Sequence, residues 1–137
     1  LTRCAVLVID DEIPYTGVLR EILASYGLDV LVAYHSGQAL GLLDGVRPNL
    51  IMLDMMMPGM DGLTLLRRLR QQAALKDTPV IMVSANVVNK DREAALSAGA
   101  DAYLSKPFSA KELRAALRPF VDVPDTSELE KGPYASP

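Results

Sequence analysis

Apolar residues along the chain follow two rhythms. Residues 5–9, 28–34, 50–54, 80–83 and 102–106 are short runs in which Val, Ile and Leu dominate with little polar alternation. Such runs mark parallel strands covered on both faces. Between them the spacing becomes helical. In residues 14–26, Val18, Leu19, Ile22, Leu23 and Tyr26 share one stripe, and Gly27 is a natural stop. Ser36 is placed to cap a short helix running to about residue 46, with Ala39, Leu40 and Leu43 inside and Pro48 beyond its end. Residues 62–75 set Leu65, Leu66, Leu69 and Ala73 against Arg67, Arg68 and Arg70 on the other side. Asn89 or Asp91 opens a helix rich in small residues that ends near Gly99. Ser109 caps a last helix, with Leu113, Ala116, Leu117 and Phe120 at i, i+3, i+4 and i+7.

Strands alternating with helices over short connections predict an α/β fold: an open, doubly wound parallel sheet with right-handed crossovers and helices on both faces. Ligand sites in such sheets lie beyond the C-terminal strand ends, near the point where strand order reverses. Four of the predicted strands end in residues suited to phosphoryl chemistry or to its metal: Asp10 and Asp11, Asp54, Ser84, and Lys106. Singly, such residues are mostly loop caps or solvated groups. Their joint occurrence at these strand ends predicts one pocket.

Carboxylates crowded together repel one another and favour a cation, and a hard cation such as Mg²⁺ prefers oxygen ligands. Ser84 offers a hydroxyl for a phosphoryl oxygen, and Lys106 a compact positive charge. Phosphoryl transfer is catalysed mainly by positioning and charge stabilisation, so a nucleophilic carboxylate with these neighbours forms a sufficient set. Asp54 is the preferred nucleophile, which would give an acyl phosphate.

Composition narrows the field. The 137 residues amount to one domain, and a net charge of -3 argues against a nucleic-acid-binding surface. Cys4 is the only cysteine, which excludes an intramolecular disulfide and a cysteine-based metal site, and its place inside the first apolar run predicts a small buried side chain. No apolar stretch reaches the length of a membrane span and no signal segment opens the chain, so a cytoplasmic protein is expected. The segment 122–137, with Pro124, Pro133 and Pro137, predicts a linker or disordered tail after a domain at 1–121. The methionines at 55, 56, 57 and 60 read as apolar filler, because no His or Cys lies nearby to complete a soft-metal site. His35 falls on a loop, and Arg67, Arg68 and Arg70 read as a solvated helix face.

Four segments in order carry a resemblance: Val6-Leu-Val-Ile-Asp-Asp-Glu12, Leu53-Asp-Met-Met-Met-Pro-Gly-Met-Asp-Gly62, Val80-Ile-Met-Val-Ser-Ala85 and Ala100-Asp-Ala-Tyr-Leu-Ser-Lys-Pro-Phe108. Over residues 4–121 the chain resembles the receiver domain of two-component response regulators. The resemblance implies a flavodoxin-like (CheY-like) three-layer α/β/α sandwich with strand order 2-1-3-4-5. It implies that Asp54 accepts a phosphoryl group from a phosphohistidine on a histidine kinase or phosphotransfer protein. Asp11, Asp54 and the Met56 backbone carbonyl would hold Mg²⁺ directly, with Asp10 acting through water. Lys106 and Ser84 would bind the phosphoryl oxygens. Tyr103 fits the aromatic switch position, and Lys106-Pro107 is a candidate cis peptide. Met56 and Asn86 match variable positions bordering the path of attacking water, and an apolar Met56 predicts slow autodephosphorylation.

The expected function is therefore a phosphorylation-dependent switch, which modifies itself and is not a turnover enzyme. Two rivals differ in class. An aspartyl-nucleophile phosphohydrolase would resemble an Asp-x-Asp pattern after the first strand, whereas Asp10-Asp11 is followed by Glu12-Ile13. A phosphorylation-independent interaction module would have no need of the full set of reactive residues. A homodimer through the fourth helix, fifth strand and fifth helix is a further expectation. A stand-alone regulator and a receiver cut from a longer protein, such as a hybrid kinase, are both open, and Leu1 in place of an initiator Met leans toward the second.

Overall fold

The five apolar runs form one parallel sheet in the computed structural model, which describes residues 4–85 and 89–125. Strands β1 (Ala5–Ile9), β2 (Asp29–Ala33), β3 (Leu50–Asp54), β4 (Val80–Ser84) and β5 (Ala102–Ser105) lie in the order β2-β1-β3-β4-β5. Helices α1 (Ile13–Ser25), α2 (Ser36–Leu43), α3 (Gly62–Gln71) and α4 (Asn89–Ser97) connect them, and α5 (Ala110–Leu117) follows β5.

Strand parity builds the three layers. Leu7, Ile9, Ile51, Leu53, Val80 and Met82 face one side, where Ala39 and Leu43 of α2, Leu65, Leu66 and Leu69 of α3, and Ala95 of α4 pack. Val6, Val8, Leu50, Met52, Ile81, Val83 and Leu104 face the other, against Leu19, Ile22 and Leu23 of α1 and Leu113 and Leu117 of α5. Each fully buried Leu or Ile contributes roughly 1.5–3 kcal/mol, and both strand parities are buried. That explains why polar alternation is missing from the sequence.

Several local expectations shift. Leu28 is buried but precedes β2, which starts at Asp29. The cap of α2 is His35, whose Nδ1 accepts from the Gln38 amide at 3.0 Å. Ser36 instead lies in the helix, buried, and donates its hydroxyl to the Met60 carbonyl at 2.8 Å. Helix α3 ends at Gln71, because Gln72 takes extended dihedrals, while Leu75 still fills the core from the following turn. Strand β5 stops at Ser105, just before the cis Lys106-Pro107 bond. Cys4 is exposed, ahead of the strand it was expected to join. Ser109 does cap α5, in a reciprocal capping box with Glu112. Asn89 is the first residue of α4, and Asn86 lies outside the described residues.

Arg70 departs most from expectation. It is not a solvated residue: Nε donates to the Gly99 carbonyl at 3.0 Å, and one guanidinium nitrogen donates to the carbonyls of Leu75 at 3.0 Å and Thr78 at 2.7 Å. The other pairs with Asp101 at 3.0 Å, and Asp101 in turn accepts from the Val80 amide at 2.9 Å. Arg70 thus ties α3 to the loops that lead into β4 and β5. Arg67 and Arg68 are exposed, as expected.

Candidate functional site

Strand order reverses where β1 lies between β2 and β3, so the crevice of the sheet opens beyond the C-terminal ends of β1 and β3. Asp10 follows β1 and Asp54 ends β3, and both are buried, whereas Asp11 is exposed. One carboxylate oxygen from each of the three comes within 4.8 Å of the others. The Asp10 amide donates to the Ala33 carbonyl of β2 at 3.0 Å, and Asp10 Oδ1 accepts from the Glu12 amide at 3.0 Å, which fixes the start of the loop.

Asp54 is held from behind. The Met55 amide donates to the Val83 carbonyl at 2.8 Å and the Gly62 amide to the Met55 carbonyl at 3.0 Å. The loop therefore doubles back on the strand end, with Gly59 at φ +78 in the turn. A Cβ on Gly62 would sit 2.1 Å from the Asp54 carbonyl oxygen, so only glycine lets α3 begin there. Met55 and Met57 are buried and Met60 is partly buried against the α2–α4 layer, as apolar filler should be. Met56 differs: its side chain is 61% exposed, while its amide makes a long 3.4 Å contact to Asp54 Oδ1.

Lys106 closes the pocket from β5. Its amide donates to the Ser84 carbonyl at 2.7 Å, which draws the ends of β4 and β5 together. Its ammonium donates to Asp10 at 2.7 Å and Glu12 at 3.3 Å, and stands 3.9 Å from Asp54 Oδ1. Ser84 is buried at the end of β4. Tyr103 pairs in register with Met82 and packs, partly buried, on the α2–α4 side. Parity gives Ser84 the same face of the sheet as Tyr103.

The field of the pocket is strong. Burial pushes Asp54 up to about 6, with Asp10 and Asp11 adding to the rise and Lys106 and the Met56 amide opposing it. For Lys106, burial works against the charged form, but the hydrogen bond to Asp10 and the negative charges of Asp54, Asp10 and Glu12 outweigh it, and its pKa is raised. Glu12 and Tyr15 also reach this site, although neither stands out as a site residue in the sequence. Lys106 Nζ lies 4.1 Å from the Tyr15 ring centroid, and burial, followed by the charges of Asp10, Asp54 and Glu12, drives the Tyr15 phenol far upward. Continuing the α1 stripe of Val18, Leu19 and Ile22 back by one turn would have marked Tyr15.

A doubly wound sheet with an acidic pocket at its switch point and a lysine paired across it defines a CheY-like domain. A model of the response regulator receiver domain matches residues 6–118, and the chain belongs to that family. It is therefore a phosphorylation-controlled signalling domain of two-component systems. It is 43% identical to the transcriptional regulatory protein CpxR of Escherichia coli (strain K12) over 113 residues, covering 82% of this chain and 47% of that protein. It is 37% identical to the phosphate regulon regulatory protein PhoB of Pseudomonas aeruginosa, covering 82% of this chain and 49% of PhoB. The chain thus spans just under half the length of these relatives.

Among solved structures, the Francisella response regulator 1452 receiver domain aligns with TM-score 0.79 at 35% identity, over 85% of this chain and 95% of that one. The receiver domain of sensor histidine kinase PA1611 from Pseudomonas aeruginosa PAO1, solved with magnesium coordinated in its active-site cleft, aligns with TM-score 0.79 at 30% identity, over 87% and 98%. The three clustered carboxylates fit such an ion, as hard oxygen donors whose mutual repulsion a cation relieves. Among the described residues, no helix is long and apolar enough to cross a membrane.

Proposed function

We propose that Asp54 accepts a phosphoryl group from a phosphohistidine on a histidine kinase or phosphotransfer protein, and that the domain itself catalyses the transfer. The observation that carries this reading is the Lys106 ammonium, held 2.7 Å from Asp10 and 3.9 Å from Asp54 beside three clustered carboxylates. An Asp54 oxygen forms the new O–P bond as the donor's N–P bond breaks, and the electron pair of that bond stays on the imidazole. Lys106 and the Ser84 hydroxyl receive the phosphoryl oxygens and stabilise charge there.

Asp11, Asp54 and the Met56 carbonyl would hold Mg²⁺ directly, with Asp10 behind a water. Support for that unequal split comes from Asp10 Oδ2, which already accepts from Lys106, and from the exposure of Asp11. When bound, the ion supplies charge neutralisation at the phosphoryl oxygens. Ser84 engaging the phosphoryl group would turn Tyr103 inward on their shared face, and this changes the α4–β5–α5 surface that a partner reads. A second copy of the chain is one such partner, and light scattering with Mg²⁺ and beryllofluoride tests it: a rise from monomer to dimer mass is expected, and an unchanged mass would remove it.

Incubation with phosphoramidate and Mg²⁺ tests the acceptor. Intact mass should show one added phosphoryl group in the wild type and none in Asp54→Asn. Equal modification of both would sink the assignment, and sustained phosphate release from varied substrates would favour a hydrolase. An apolar Met56, two residues beyond the acceptor, would hinder the attacking water, so autodephosphorylation should be slow and Met56→Ala should shorten the lifetime of the acyl phosphate. An unchanged or longer lifetime would count against that hindrance.

A further inference from the structure

We infer that Tyr15 is a positioning residue for Lys106, its ring holding the ammonium group at the mouth of the pocket while the ammonium changes partners. The inference rests on the function proposed above and concerns a residue to which that function assigns no task. Lys106 Nζ stands 4.1 Å from the Tyr15 ring centroid, with the lysine side chain only 12% exposed. A partly desolvated cation over an aromatic face is held more strongly than an exposed one.

The ring is itself fixed. Tyr15 sits in the first turn of α1 and meets Phe108 edge to face, with centroids 6.3 Å apart and planes at 81°. Phe108 belongs to the same β5–α5 connection as Lys106, so the connection carries both the ammonium and the ring that braces its aromatic support. Among the described residues, a cavity of about 640 Å³ on this side is lined by Glu12, Tyr15, Lys106, Pro107 and Phe108, with others. Without the ring, only the carboxylates hold the ammonium, and nothing on this side steadies the lysine stem as the Asp10 contact is given up.

The need for such a hold follows from chemistry. Lys106 is committed to Asp10 at 2.7 Å, yet to stabilise a phosphoryl group it must turn toward oxygens beyond Asp54. A hydrogen bond is directional and is lost in such a move. Attraction to a ring face is broad, so the ammonium keeps it while exchanging a carboxylate for a phosphoryl oxygen, and the ring's share of the hold grows once the Asp10 contact is given up, which is where its loss slows the transfer.

The test compares Tyr15→Met, which keeps bulk without a ring, with Tyr15→Phe, and adds Phe108→Leu to release the brace. Lys106 side-chain methylene signals in the NMR spectrum should carry an upfield ring-current shift in the wild type that Tyr15→Met loses. At saturating Mg²⁺ the maximal rate of phosphorylation by phosphoramidate should fall roughly 2- to 30-fold in Tyr15→Met, the rate equivalent of one cation–π contact. The Mg²⁺ affinity should stay within about 2-fold, since no carboxylate is touched. Tyr15→Phe should recover both signals, and Phe108→Leu should lose part of each. A Tyr15→Met protein with wild-type rate overturns the inference, as does a Tyr15→Phe protein as slow as Tyr15→Met. A wild type that takes no phosphoryl group would sink the reading of the site instead; the inference would then be overturned only by an NMR shift that survives in Tyr15→Met.

Discussion

Gly62 lies so close to Asp54 that a Cβ at position 62 would stand 2.1 Å from the Asp54 carbonyl oxygen and 2.9 Å from its carbonyl carbon. The contact is with backbone, which has no rotamer to yield. Gly62→Ala must therefore push the first turn of α3 away from the end of β3, at a cost of about 2–3 kcal/mol, as for other overpacked sites. The same displacement moves the carboxylate, so phosphorylation should slow as well. Urea unfolding with phosphoramidate kinetics checks both, and an Ala variant of wild-type stability would show that the helix start shifts freely.

Arg70 should matter for stability and little for chemistry. It satisfies the carbonyls of Gly99, Leu75 and Thr78 and pairs with Asp101, at the N-terminal ends of β4 and β5, whereas the pocket lies at the C-terminal ends of the strands. With a methionine, the aliphatic part of the side chain still packs but three carbonyls lose a donor. A charged donor is worth roughly 1.5–3 kcal/mol in partly buried surroundings, so Arg70→Met should cost about 2–4 kcal/mol. Thermal and urea melts measure the loss, and the rate of Asp54 modification should stay within about 2-fold. A large drop in that rate at full stability would overturn this division of labour.

These two residues mark the border of what the sequence makes legible. Asp10, Asp54, Ser84 and Lys106 are visible because each ends an apolar run, and parallel strands bring their C-terminal ends together whatever the details of packing. Arg70 is not, because its partners lie up to 31 positions away and its neighbours Arg67 and Arg68 are ordinary surface groups. His35 and Ser36 trade places by one residue because imidazole and hydroxyl can both accept from an amide, and only the Met60 carbonyl decides which side chain turns inward. Cys4 looks buried by composition, but β1 starts one residue later. Tyr15 hides as the first member of an ordinary helical stripe, and its contact with Lys106 exists only once β5 and α1 are assembled.

The raised Asp54 pKa has a defined effect on stability in the absence of metal. Burial first, then Asp10, lifts it from 3.8 to about 6, so the folded protein keeps a proton that the unfolded chain releases between those values. Stability from this group is thus fully present below about pH 4 and is lost as the pH rises through about 6. At neutral pH the ionised carboxylate is a liability, and Asp54→Asn should be more stable by about 1–2 kcal/mol, a figure discounted for the solvent reaching the pocket. Near pH 4 the two proteins should unfold at nearly the same urea concentration. An advantage of Asn that is constant from about pH 4 to pH 8 would contradict the shift.

On the proposed metal site, Lys106 and the ion would share one cluster of carboxylates and repel each other across it. The ammonium is 2.7 Å from Asp10 and 3.9 Å from Asp54, so a cation entering the pocket meets a positive charge already in place. Lys106→Met removes that charge and leaves the carboxylates to repel one another. Without metal the variant should be less stable than the wild type near neutral pH, because Asp10 is left buried beside Asp54 without its partner. With that repulsion to relieve, Mg²⁺ should bind on the order of tenfold more tightly, and should raise the melting temperature more in the variant than in the wild type. Phosphorylation should nonetheless fall steeply, because the group proposed to receive the phosphoryl oxygens is gone. Calorimetric Mg²⁺ titration beside mass-detected phosphorylation separates the two effects. Weaker Mg²⁺ binding in Lys106→Met would mean that the lysine organises the carboxylates for the metal and does not compete with it.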